Sequence, residues 1–220
     1  MTKAVIKKAT LKTQVYDYLK EGIMLGRIKP GERLIEEKIS EELQVSRSPI
    51  REAVRMLEKD GLLNVNKSGG VTVVQPSIED FRSLYECRVE MESLAAYYAA
   101  ERCSTEELEE IQAQLLQMNT IASANNLKEA YESNVIFHEF VARASKNPFL
   151  NSLILQLRGV NSFYRQAILE FDPKYIVGAI AEHQQIFQAI VNQDKDQARK
   201  LMKEHIEGDY QLFMKAVNSK

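Results

Sequence analysis

The chain has 220 residues and a mass of 25.2 kDa, room for one large domain or two small ones with real cores. A hydrophobic content of 45% with 27% charged residues excludes a disordered chain, and only nine Gly and five Pro speak against a turn-rich β-sandwich. The net charge of −2 argues against a polyanion binder until the chain is divided: residues 1–75 hold 14 Lys+Arg against 10 Asp+Glu, and residues 76–220 hold 15 against 21.

A second asymmetry follows the same cut. All eight Phe and all three His lie after residue 75. Two composition regimes imply two domains, 1–75 and 76–220, with different partners. Cys87 and Cys103 have neither the number nor the spacing of a disulfide framework, so the expected compartment is a reducing cytoplasm. No apolar run approaches the ~18 residues of a membrane span. The lysines of Met1–Lys12 are not followed by the apolar run of a signal peptide.

In chain order, Leu11, Val15, Tyr18, Leu19 and Ile23 fall at helical spacing, with an end near Gly26. Lys29-Pro30-Gly31 reads as a turn. Leu34 and Ile35 lead into a short second helix with Ile39 and Leu43 inward. Ser46 is the expected N-cap of a third helix, with Pro49 tolerated in its first turn and Ile50, Val54 and Leu57 as its buried stripe. Leu62–Asn66 and Val71–Val74, separated by Lys67-Ser68-Gly69-Gly70, read as a β-hairpin. Three helices and a hairpin are the layout of a winged helix-turn-helix, whose third helix enters the DNA major groove by its N-terminal end.

That end carries Arg47 and Arg51, four apart on one face, flanked by Ser46 and Ser48. Arginine bonds a guanine edge with two donors, and hydroxyls and helix N-termini suit phosphate. Lys67 at the hairpin tip is in reach of phosphate or the minor groove. The competing reading is a solvated pair of surface cations. Cations at a helix start are disfavoured by the helix dipole unless an anion arrives, which favours DNA.

Pro30-Gly31-Glu32-Arg33-Leu34, Val45–Val54 and Leu57-Glu58-Lys59-Asp60-Gly61-Leu62 together resemble the DNA-binding domain of GntR-type bacterial regulators. The resemblance implies that Arg47 and Arg51 read bases and that the neighbouring hydroxyls hold phosphates. One departure is Glu37, where some members carry a base-contacting arginine; a glutamate is not expected to touch phosphate or base.

Beyond Gln75-Pro76-Ser77 the pattern is helical to the end, with starts marked by Ser77…Asp80, Ser104…Glu107, Asn147-Pro148, Asp172-Pro173 and Asp194. Six helices are expected at roughly 78–102, 105–122, 127–145, 148–170, 173–192 and 195–216, joined by short turns into an antiparallel bundle. The expected fold is therefore mainly α: a winged helix-turn-helix followed by an all-α bundle.

His138 lies on the third bundle helix with Asn134 one turn before it, His183 is expected to open the fifth, and His205 lies on the sixth. Three imidazoles on separate helices are a metal-ligand set, and equally three hydrogen-bonded core residues. Glu139, Glu182 and Glu204 adjoin the histidines about 100° around each helix, where they serve as flanking groups rather than ligands.

Phe137-His138-Glu139-Phe140 with Asn147, Glu182-His183-Gln184, and Asp194…Ala198…His205 resemble the FCD ligand-binding domain of the FadR subfamily. The resemblance implies a divalent metal, Zn, Ni or Mn, held by Asn134, His138, His183 and His205. Asn134 stands where Asp is usual; an amide oxygen still ligates but brings no charge. It further implies a small carboxylate effector beside the metal, met by Arg88, whose competing role is a surface i,i+4 pair with Glu92. Tyr131, Arg158 and Tyr164 are further candidates to line the pocket.

The expected function is that of a homodimeric, metabolite-responsive transcriptional repressor on a palindromic operator, not an enzyme. The alternatives are a metal-dependent hydrolase, for which no separate general base is evident, and a constitutive DNA-binding protein with structural histidines.

Overall fold

The structure, a computed structural model, describes residues 10–24, 27–124, 126–172 and 175–219. Helix dominates them, with one small sheet, and they divide into two compact units, Met1–Pro76 and Ser77–Lys220. The expected helix end at Gly26 and the Pro173 start signal lie outside the described residues.

In the first unit, α1 (Leu11–Met24), α2 (Glu36–Leu43) and α3 (Arg47–Lys59) enclose Val15, Leu19, Ile23, Ile39, Ile50, Ala53, Val54 and Leu57. The 3.6-residue period of these apolar positions is what makes the three segments amphipathic helices with one inner face. Leu11 departs from the expected stripe. It is the first residue of α1 and is 55% exposed. The turn from α2 into α3 is made by Gln44, whose φ of 52° places it in the left-handed region that closes a helix C-terminus.

The hairpin forms as β2 (Leu63–Val65) and β3 (Val71–Val73), paired antiparallel with Asn64 opposite Thr72. A further strand, β1 (Arg33–Leu34), pairs with the other edge of β3, giving the order β1-β3-β2. Two residues are too few to show an alternating pattern, so the sequence reading passed over β1. At the wing tip the Asn66 side chain accepts from the backbone N–H of Ser68 (3.1 Å) and Gly70 (2.7 Å). That ties the tip around Lys67, with Gly69 at φ 81°, a value only glycine adopts at little cost.

The second unit holds α4 (Ile78–Arg102), α5 (Thr105–Ser123), α6 (Leu127–Ala144), α7 (Pro148–Phe171), α8 (Tyr175–Val191) and α9 (Lys195–Asn218). Their bounds follow their caps. Ser77 and Ser104 each form a capping box with the carboxylate three residues on, Asp80 and Glu107. Asn147 and Asp194 cap α7 and α9 by accepting from Leu150 and Gln197 N–H. Each cap satisfies N–H groups that have no intrahelical partner.

Contacts along the helices fix their directions. Phe81 meets Phe213, Glu90 pairs with Arg199 and Lys203, and Glu101 pairs with Lys195, so α4 and α9 run antiparallel. Glu107–Lys146, Glu110–Arg143 and Gln114–Ser133 set α5 antiparallel to α6 in the same way. A continuous apolar core runs through the bundle, with the ring cluster of Phe81, Tyr85, Tyr164 and Phe213 near one end.

Among the described residues no helix is long and apolar enough to cross a membrane. Both cysteines are free, and burial pushes the Cys103 thiol up to about 11.

Candidate functional site

The second unit buries a cluster of polar side chains in an otherwise apolar core. His138 comes from α6, His183 from α8 and His205 from α9, and one ring nitrogen of each lies within 4.8 Å of the others. His183 sits in the middle of α8, not at its opening as the sequence reading had it. The apolar stripe of Ile176, Ala179, Ile180 and Ile186 runs past it on both sides, so it shares the inner face of an unbroken helix.

Carboxylates orient two of the rings. Glu92 Oε2 lies 2.7 Å from His138 Nδ1, and Glu182 Oε2 lies 2.6 Å from His205 Nδ1. A carboxylate only accepts, so these contacts suit the tautomer that carries its proton on Nδ1 and leaves the Nε2 lone pair free for a ligand bond. His183 Nε2 and His205 Nε2 approach to 3.0 Å, and the Phe137 ring stacks on His183 at 4.1 Å.

The His183–His205 pair of this donor set has the spacing of two imidazoles on one metal ion. Two imidazole nitrogens bound at ~2.1 Å stand about 3.0 Å apart at a right angle and about 3.4 Å at the tetrahedral angle. The observed 3.0 Å agrees with the first value. The carboxylate behind each Nδ1 is the usual support of a metal-bound histidine. Asn134 is buried one turn before His138 on α6.

Arg88 is buried, not on the surface. Its Nε donates to Glu92 Oε1 at 2.6 Å, its Nη1 donates to Asn161 Oδ1 at 3.1 Å, and Asp209 Oδ2 stands 3.9 Å away. The i,i+4 pair with Glu92 therefore exists, but in the core. Glu92 bridges Arg88 and His138. Burial alone pushes its carboxyl up, yet the charge of Arg88 and hydrogen bonds from His138 and Arg88 outweigh it and hold Glu92 far below the usual carboxylate range. The Arg88 guanidinium is shifted the other way, upward: burial opposes its charge, and Glu92, Tyr85 and Asp209 overcome that.

The sequence reading named Arg88 and the histidines but missed Glu92 as the partner of His138, and missed Asn161 and Asp209 altogether. Asp209 lies four residues after His205, a same-face spacing that signals it. Asn161 has no such local signal. Tyr164 donates to Ser77 O at 3.0 Å within the ring cluster. Tyr131 and Arg158 lie outside the described side chains. Glu204 faces Lys200 on the surface.

In the first unit, α3 begins with Ser46 as N-cap, though its hydroxyl makes no cap hydrogen bond. Ser48, Arg47 and Arg51 are exposed in and after the first turn, and Arg55 continues the same face. Its i,i+4 spacing from Arg51 is legible in the sequence. Both expected reading arginines hold carboxylates of α2: Arg47 Nη1 is 3.1 Å from Glu37 Oε1, and Arg51 Nε is 3.0 Å from Glu36 Oε2. Lys67 is exposed at the wing tip.

A winged helix-turn-helix joined in one chain to a helical bundle with a buried histidine cluster defines a class of DNA-binding regulator. The model of bacterial regulatory proteins of the gntR family matches residues 11–73, and the FCD domain model matches residues 83–208. The chain belongs to the GntR family of bacterial regulatory proteins and carries an FCD domain; it is a transcriptional regulator, not an enzyme.

It is 32% identical over 198 residues to the HTH-type transcriptional regulator YdhC of Bacillus subtilis (strain 168), covering 89% of this chain and 88% of that one. It is 30% identical over 204 residues to the regulator LutR of the same organism, covering 82% and 91%. The solved structure of E. coli McbR/YncC shares its fold, with a TM-score of 0.81 and 24% identity over 94% of this chain and 99% of that one.

Proposed function

We propose that the protein is a transcriptional repressor whose operator affinity is set by a small carboxylate bound near a divalent metal ion. In this reading residues 1–75 are the DNA-binding domain and residues 76–220 bind metal and effector and dimerise the chain. Arg47 and Arg51 read base edges, while Ser46, Ser48 and Lys67 hold phosphates. One winged unit presents one reading helix, so a palindromic operator takes two copies of the chain. A protein that works on the chromosome of a bacterium acts in the cytoplasm.

His138, His183, His205 and Asn134 are the residues that hold the metal, Zn²⁺, Ni²⁺ or Mn²⁺. A divalent cation there supplies positive charge to an anionic ligand. Because Asn134 is uncharged, none of the four ligands neutralises that charge, which favours an anion beside it. Arg88 is the second cation of the pocket. Its guanidinium is tied to Glu92, so an incoming carboxylate competes with Glu92 for it. Binding that rearranges Glu92 also disturbs His138, which couples effector to metal.

The observation that carries this reading is the convergence of three buried imidazoles, two of them backed by carboxylates, inside the unit that the FCD model matches. A melting-temperature screen of small carboxylic acids, with and without each metal, tests it. The expected result is a shift that needs both components, together with a change in DNA affinity on adding the same pair. Melting curves unmoved by any metal refute the metal-dependent reading.

A further inference from the structure

The two arginines at the head of α3 are held in different ways, and the difference assigns a function to the acidic residues that open α2. The inference rests on the reading of α3 as the DNA-contacting helix. Arg51 is bound through Nε, 3.0 Å from Glu36 Oε2. That contact leaves both terminal nitrogens of the guanidinium for a guanine edge, which takes two parallel N–H donors. The Glu36 side chain is recessed, 22% exposed, beneath an Arg51 that is 66% exposed. DNA can therefore engage Arg51 without displacing Glu36.

Arg47 is bound through a terminal nitrogen instead, 3.1 Å from Glu37 Oε1. That nitrogen keeps a second hydrogen and the Nε–Nη2 edge stays clear of the pair, so Arg47 too can offer a base two donors while Glu37 holds it. Glu37 differs from Glu36 in exposure instead: at 55% it is level with its partner at 57%, so its charge sits at the surface that would meet the phosphates of a duplex.

We infer that Glu36 is a positioning residue that pre-sets Arg51 for base readout, whereas Glu37 is an exposed carboxylate whose charge opposes the approach of DNA. The free-protein arrangement has a physical cause. The N-terminus of α3 disfavours cations, and the carboxylates of α2 supply the anions that DNA later provides. A pre-set guanidinium loses less rotamer freedom on binding, so Glu36 adds to specific affinity although its charge is of the wrong sign for DNA. Glu37 subtracts from affinity on every sequence alike, through its charge.

The two carboxylates therefore make opposite predictions, which simple charge removal does not. The probes are a duplex enriched by the wild-type protein from a randomised library and a duplex of scrambled sequence, with affinities read by fluorescence anisotropy at several salt concentrations. Glu37→Gln is expected to bind both duplexes more tightly, by at most about five-fold, the ceiling set by an exposed ion pair. Glu36→Gln is expected to lose about ten-fold on the enriched duplex and nothing on the scrambled one. Glu36→Asp, which keeps the charge and shortens the reach, falls between. In an Arg51→Ala background Glu36→Gln adds no further loss, an outcome that a general effect on folding would not give. If Glu36→Gln tightens binding to both duplexes as Glu37→Gln does, the positioning role is overturned. If Arg51→Ala itself leaves affinity for the enriched duplex unchanged, the DNA-contacting reading of α3 falls with it.

Discussion

Replacing His183 by Ala tests the buried cluster most directly. The imidazole is fully enclosed, stacked on Phe137 at 4.1 Å and 3.0 Å from the nearest nitrogen of His205. Two separate costs follow. Truncating a buried ring of this size leaves a cavity worth about 2–4 kcal/mol, with or without metal. Removing one of three converging imidazoles also removes the metal, and metal at a hundred times its dissociation constant stabilises the folded state by ~2.7 kcal/mol. For a unit of this size each kcal/mol moves the melting temperature by ~2–4 °C. Chelator should therefore lower the wild-type melting temperature by about 5–11 °C. The His183→Ala protein should start lower and not respond to chelator. Elemental analysis should find about one equivalent of bound metal in the wild type and none in the variant. Affinity for scrambled DNA should not change, because the winged unit is untouched. A wild-type melting temperature indifferent to chelator, or a variant that keeps its metal, refutes the assignment.

Three further outcomes follow from the same structure. Arg88→Met strands Glu92 and Asp209 in the core and should cost about 3–5 kcal/mol in urea denaturation, part of which a second change, Glu92→Leu, restores. Gly69→Ala should destabilise the winged unit by about 1 kcal/mol from backbone strain alone, since a Cβ there meets nothing within 4 Å but φ is +81°; a calorimetric transition of the winged unit that does not move contradicts this. Cys103, its thiol pushed up to about 11 by burial, is protonated at pH 8 to all but roughly one part in a thousand. Iodoacetamide should therefore modify exposed Cys87 first, and Cys103 should gain reactivity only as pH rises toward 11. Equal rates at pH 8 count against that burial.

The readable parts of this fold were local. Ser77, Ser104, Asn147 and Asp194 each announce a helix start by chemistry confined to four residues, and the helices begin one residue after each. Ile50, Val54 and Leu57 define the inner face of α3 by spacing alone, and all three are buried. The hairpin was legible from two apolar runs around a glycine pair. Strand β1 was not, because two residues carry no period and their pairing partner lies nearly forty residues away in β3.

For the candidate sites, the sequence by itself determined which residue types were available: three histidines, Arg88 within the first bundle helix, and two arginines at the head of α3. What lies against each of them was decided by tertiary structure. Glu92 could be seen as an i,i+4 partner of Arg88, but only the packing of α4 on α6 makes it the support of His138 as well. Glu182 adjoins His183 in sequence yet orients His205, because α8 and α9 bring unlike positions together. Glu36 and Glu37 meet Arg51 and Arg47 only once the turn at Gln44 folds α2 against α3. The physical reason is the same in each case. Periodicity and capping act within a few residues, whereas pairing of buried charges is chosen by the low-dielectric interior, which admits a charge only beside a partner that the fold brings to it.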